Sequence, residues 1–250
     1  MHGPLGVSQN NYVVEKKYIE IYKDGTYLKN NPTWDAEDSE FKANKILKLL
    51  NKHNIPLDSI CEVGCGSGEI LVQLSSNLPS KTKFFGFDIA ADAINIAKKK
   101  ETAQIKFELN DITDISLNQP FDLILIMDVI EHVENYFKFL RDLTTKSRYK
   151  IFHIPLDMCA WSLFREKMLI ESKERVGHIH VFTEDFIKSV LNDCGYKIID
   201  QLYTEPTFKP TSTKQKIIKL IRGLLFKINK RFCSKTIGGI SIMILTENEK

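Results

Sequence analysis

Residues 62–68 read Glu62-Val63-Gly64-Cys65-Gly66-Ser67-Gly68. Three alternate glycines let a backbone turn tightly and approach a ligand with no Cβ in the way. A helix that starts just beyond them offers free N–H groups to that ligand. The spacing is GxGxG. It lacks the third-glycine position of the GxGxxG dinucleotide fingerprint, so a pyrophosphate is not the favoured ligand. Asp88, twenty residues after Gly68, can accept both hydroxyls of a ribose, or it can cap the helix that follows. Asp111 in Asn110-Asp111-Ile112 can accept from an adenine amino group, or serve as a turn aspartate.

A second set of residues suits proton transfer. Glu131 and His132 follow an apolar strand, and His153 ends the next one. Both places lie at the C-terminal sheet edge, where open α/β sheets bind ligands. Glu131, His132 and His153 are therefore the candidate acid–base residues. His178 and His180 stand in Gly177-His178-Ile179-His180-Val181-Phe182-Thr183.

The elements that must position these groups alternate. Strands are expected at 59–63, 83–88, 105–109, 121–127 (FDLILIM), 149–154, 196–203 and 240–246. Helices are expected at 35–53, 69–78, 90–100, 129–143 and 183–194, with Thr183 as an N-cap and Gly195 just past the end, and a further helix at 161–169. Repeated βα units of this length imply a doubly wound, mostly parallel sheet.

The set EVGCGSG, GFDIA, NDI and FDLILIMDVIEHV, in this order, resembles motifs I to IV of the class I S-adenosylmethionine-dependent methyltransferases. Within them it is most similar to the small-molecule group that includes the ubiquinone-biosynthesis O-methyltransferases. The resemblance covers residues 58–203 and resumes at 238–247. It implies a Rossmann-like seven-stranded sheet whose last strand is antiparallel, with helical cap insertions. It implies S-adenosylmethionine as cofactor and S-adenosylhomocysteine as product. Glu62 would sit by the methionine portion, on the loop of Gly64, Cys65, Gly66 and Gly68. Asp88 would hold the ribose, Ile89 would pack on adenine, and Asp111 with Ile112 would bind the adenine edge. Met127 and Asp128 would border the methyl-transfer site.

No metal is expected to be required. The alternative is a site of Asp128, Glu131, His132 and His178 or His180, which resembles the metal-dependent 2′-O-methyltransferases of small RNA ends. That family carries Glu where this chain has Asp128. Such an RNA methyltransferase, or a non-catalytic nucleotide-binding scaffold, are the other readings of the function.

Residues 1–55 are expected to form an N-terminal tag (Met1–Gly6) and a helical cap segment. Residues 56–250 are expected to form the methyltransferase domain, with insertions at 155–180 and 206–237. Tyr12, Tyr27, Trp34 and Trp161 are candidates to line the acceptor pocket. The acceptor expected is a small molecule or a lipid- or saccharide-linked one, methylated on oxygen or nitrogen.

The net charge of +3 does not by itself call for nucleic acid. Between Glu205 and Glu247, however, there is no acidic residue, while Lys214, Lys216, Lys219, Arg222, Lys227, Lys230 and Arg231 interleave with apolar positions at helical spacing. Segment 214–232 reads as a basic amphipathic helix suited to peripheral contact with a membrane. The five scattered cysteines form no CxxC pair, and no apolar run reaches transmembrane length. Reduced thiols in a cytoplasmic protein are expected.

Overall fold

The computed structural model describes residues 20–22, 24–34, 36–55, 57–205 and 212–249. The readings that fall on Met1–Gly6, on Tyr12, on residue 35 and on residues 206–211 lie outside the described residues. A short helix α1 (Thr26–Asn30) and a 3₁₀ turn precede α2 (Ser39–His53). There follow β1 (Ser59–Val63), α3 (Glu69–Ser75), β2 (Lys83–Asp88), α4 (Ala91–Ala97), β3 (Ile105–Leu109), β4 (Phe121–Met127), α5 (Tyr136–Thr144) and β5 (Ser147–Pro155). Then come α6 (Ala160–Leu163), α7 (Glu166–Val176), α8 (Glu184–Asp193), β6 (Tyr196–Thr204), α9 (Thr213–Ile228), α10 (Lys230–Thr236) and β7 (Ser241–Asn248).

The seven strands form one sheet in the order β3-β2-β1-β4-β5-β7-β6. β1 to β5 pair in parallel, and β7 runs antiparallel between β5 and β6. β4 is central. Six of its seven residues are buried, as its unbroken apolar run requires of a strand covered on both faces. One core cluster joins β4 and β5 to α5 and α8; the other joins β1, β2 and β3 to α2, α3 and α4. Chain order reverses between β1 and β4, so the ligand crevice belongs at their C-terminal ends. Among the described residues no helix is long and apolar enough to cross a membrane.

Several elements differ from the sequence expectation; the helix expected over 90–100, for one, is α4 followed by a 3₁₀ turn at Lys98–Lys100. The helix expected over 129–143 is two pieces, a 3₁₀ turn at Ile130–His132 and α5. Val133 between them is extended, and the Asn135 side chain accepts from Lys138 N to start α5 afresh. The helix expected at 161–169 is also two, because Arg165 leaves helical geometry. The basic segment breaks at Asn229, whose side chain accepts from Phe232 N and caps α10. Thr183 does cap α8, and Gly195 takes φ +85° just beyond it.

Candidate active site

The glycine loop begins where β1 ends. Gly64, Gly66 and Gly68 all have positive φ (+65°, +52° and +79°), a region that an L side chain enters only with strain. Space is also limiting at Gly64, where a Cβ would lie 2.7 Å from Val129 Cγ2. Asp88, at the end of β2, ties the loop down. Its Oδ2 accepts from Gly66 N at 2.8 Å and its Oδ1 from Ala90 N at 2.8 Å. Asp88 thus clamps the loop and holds the turn that leads to Ala90, the N-cap of α4. Burial pushes its pKa up, while these backbone donors oppose the shift.

A cavity of about 870 Å³ opens over this loop. It brings together Glu62, Gly64, Cys65, Gly66, Asp88, Ile89, Asp111, Ile112, Met127, Asp128, Glu131, His132 and His178. Of the expected loop residues only Gly68 stands outside the lining, beneath it against Phe107. Asp111 Oδ1 accepts from both Thr113 N and Thr113 Oγ1 at 2.8 Å, so it caps its own turn as well as facing the cavity. Glu62 is buried, with Oε2 free of any hydrogen-bond partner among the described residues. Burial pushes its pKa well up. The Lys42 charge opposes that shift, but a buried carboxylate with one oxygen unpartnered remains costly unless a ligand supplies a further cation or donor.

Tyr22, Tyr27, Asn31 and Trp34, from the chain before α2, line the other side of the cavity. Trp34 lies against the loop, its Cβ and Cε3 each 3.8 Å from where a Gly66 Cβ would be. Ring contacts then run from Trp34 to Tyr27 (4.8 Å), to Tyr22 (4.9 Å), to His132 (5.9 Å) and on to His178 (5.0 Å). Trp34 Nε1 and Asn31 Nδ2 are buried donors with no partner among the described residues. Tyr27 and Trp34 line the cavity. Trp161 does not; it is exposed on α6.

The histidines separate into different roles. His132 Nδ1 lies 2.9 Å from Tyr22 Oη and 3.0 Å from the Gly177 carbonyl. A carbonyl only accepts, so that bond places the ring proton on Nδ1 and leaves Nε2 with a lone pair. Burial, with His178 nearby, pushes the His132 pKa down to about 4, so the ring is neutral at physiological pH. His178 Nδ1 is held by Asp157 Oδ2 at 2.8 Å. Glu131 is wholly buried, both its oxygens lack hydrogen-bond partners among the described residues, and burial beside Asp128 pushes its pKa well up.

His153 does not act from the cavity. Its Nδ1 pairs with Asp128 Oδ1 at 2.7 Å and its Nε2 with Thr204 Oγ1 at 2.8 Å, so both nitrogens are committed inside the sheet. A base at His153 is replaced by a residue that positions Asp128. The four-residue metal set also does not assemble. Asp128 sits in left-handed backbone (φ +54°) and turns to His153 and to Lys42 Nζ at 2.7 Å. His180 turns to the Glu134 carbonyl at 3.2 Å. What does converge is Glu131, His132 and His178, whose donor atoms lie within 4.8 Å of one another. Lys42, Asn31, Tyr22 and Asp157 were not signalled by any motif. Each reaches the site from an element distant in sequence.

A family model described as a methyltransferase domain matches residues 34–201. The chain belongs to that family. Among curated proteins it is 32% identical over 104 residues to the mitochondrial ubiquinone biosynthesis O-methyltransferase of Candida albicans, covering 39% of this chain and 30% of the relative. It is 23% identical over 141 residues to the ubiquinone biosynthesis O-methyltransferase of Rickettsia canadensis, covering 52% and 58%. The chain thus spans between about a third and three fifths of these relatives. The solved plantazolicin methyltransferase in complex with S-adenosylhomocysteine superposes with a TM-score of 0.60 at 18% identity, covering 96% of this chain and 97% of that one. At that identity the likeness is one of fold.

Proposed function

We propose that this protein transfers the methyl group of S-adenosylmethionine to an oxygen or nitrogen of a small-molecule, lipid-linked or saccharide-linked acceptor. One observation carries the reading. A single cavity joins the glycine loop and Asp88 to Glu131, His132 and His178, so cofactor and proton-handling groups face one space. Glu62 would meet the ammonium of the methionine portion, Asp88 and Asp111 the ribose and adenine, and Met127 would border the sulfonium. Methyl transfer from a sulfonium is an in-line displacement, so the residues chiefly align acceptor and donor and exclude water. His132 Nε2 would take the acceptor's proton.

Titration calorimetry with S-adenosylhomocysteine, with NAD as control and Asp88→Ala as the negative variant, tests this. Binding of S-adenosylhomocysteine alone, lost in the variant, supports the reading. No binding, or preference for NAD, overturns it.

A second reading adds a divalent cation. It is favoured by the convergence of Glu131, His132 Nε2 and His178, and by how the two rings are held. Each uses Nδ1 on a neighbouring oxygen, the arrangement that aims the other nitrogen at a metal. When bound, such an ion would lower the acceptor's pKa. Activity lost in EDTA and restored by a divalent salt supports it; full activity in EDTA removes it.

A further inference from the structure

Helix α9 carries its apolar face outward. Ile217, Leu220, Ile221, Leu224 and Ile228 share one face by their spacing, and all five are exposed, Leu220 at 66% and Ile228 at 80%. The helix rests on the domain through a different side, at Arg222, Leu225 and Phe226. α10 adds exposed Phe232 and packs on α6, which with the start of α7 exposes Trp161, Leu163, Phe164 (84%), Met168 and Ile170. A soluble monomer rarely leaves so many large apolar side chains in contact with water on neighbouring elements.

We propose that this face docks on a lipid surface bearing anionic headgroups. The charge decides among occupants. Segment 206–246 has no acidic residue, and Lys216 and Lys227 border the apolar stripe of α9 on its solvent side. A second copy of the chain in a two-fold pairing would set this basic segment against itself. An anionic headgroup layer meets both features at once: the apolar side chains enter the acyl boundary and the lysines meet the phosphates. The placement also suits the cavity. Ser172, Arg175 and Val176 of α7 line it, while Met168 and Ile170 of the same helix are exposed. A lipid-dissolved acceptor would then reach the site along α7; this last step rests on the methyl-transfer reading, whereas the docking does not.

Co-sedimentation of the full chain with sucrose-loaded vesicles tests the docking, using equal parts phosphatidylglycerol and phosphatidylcholine against phosphatidylcholine alone. Binding is expected to the anionic vesicles only. It should weaken above about 0.5 M salt, where the screening length falls to about 4 Å. The pair Lys216→Gln and Lys227→Gln should weaken partitioning about thirtyfold, at the strength of one near-surface cation per site. Leu220→Ser with Leu224→Ser should abolish it. Both pairs are exposed, and unchanged thermal unfolding and S-adenosylhomocysteine binding would show intact folding. Three results overturn the proposal: no sedimentation at low salt, equal binding by all variants, or a wild-type dimer in sedimentation velocity that the leucine pair abolishes. None of these touches the cofactor assay, so the two readings fail separately.

Discussion

Lys42 Nζ lies 2.7 Å from Asp128 Oδ2, joining α2 to the left-handed residue just past the central strand. Burial alone would raise the Asp128 pKa, but the His153 and Lys42 charges outweigh it and hold the carboxyl well below the usual range. Two side chains, Lys42 from α2 and His153 from β5, thus fix one strained backbone position on the cavity wall.

Lys42→Met should lower stability by about 2 kcal/mol, or about 4–8 °C in Tm, because it leaves a largely buried carboxylate with one partner fewer. The pH trend follows from the depressed pKa. The stability contributed by Asp128 is present above its unfolded value of 3.8 and is lost as pH falls through its lower folded value. The deficit of Lys42→Met should therefore be level from pH 5 to 8. Thermal unfolding across that range checks it; an unchanged Tm would show that the pair contributes nothing.

Glu62 has the opposite sign. Burial raises its folded pKa well above 4.5, so its stabilising neutral form is fully present below that value. The contribution is lost as pH rises through the folded pKa. Glu62→Gln keeps the shape without the titration. The ligand-free variant should match wild type near pH 4 and melt increasingly above it towards pH 8. It should also bind S-adenosylhomocysteine about tenfold or more weakly, having lost a charged acceptor. A constant Tm difference across pH would contradict the account of Glu62.

His132 and His153 should part in kinetics. If His132 Nε2 accepts the proton, His132→Gln should lower kcat by about 10²–10⁴-fold with little change in cofactor affinity. Because its pKa is about 4, activity should hold down to about pH 5 rather than decline near 6.5. His153→Gln should lower Tm and disturb Asp128, with a smaller effect on kcat. Equal kcat losses in the two variants would mean that neither ring is the base.

Much of this was legible in the sequence, for definite reasons. The apolar run of β4 and the glycines of 64–68 state their structure locally, through burial on both faces and through φ angles that other residues avoid. The site's outer partners do not. His153 meets Thr204 fifty-one residues away, and His132 meets Tyr22 at a separation of 110. Val129, Ile130 and Val133 have helical spacing, yet the left-handed turn at Asp128 and the extended Val133 break the helix. For α9 the amphipathic pattern was plain, but not which face the domain would take. Periodicity fixes a stripe without saying what covers it.

The last expectation concerns two residues before α2. Trp34 and Asn31 each hold a buried donor without a partner among the described residues, and both line the cavity that Glu62 also faces. An amino acid moiety carries a carboxylate beside its ammonium. On the proposed function Glu62 would meet the ammonium, and these two donors would then meet the carboxylate. Trp34→Phe keeps the ring against the glycine loop and removes only Nε1. It should weaken S-adenosylhomocysteine about tenfold, the worth of one hydrogen bond to a charged group, while adenosine, which lacks the amino acid portion, should bind both proteins alike. Equal weakening for the two ligands would assign Trp34 to packing rather than to recognition of the carboxylate. Calorimetry with both ligands decides between them.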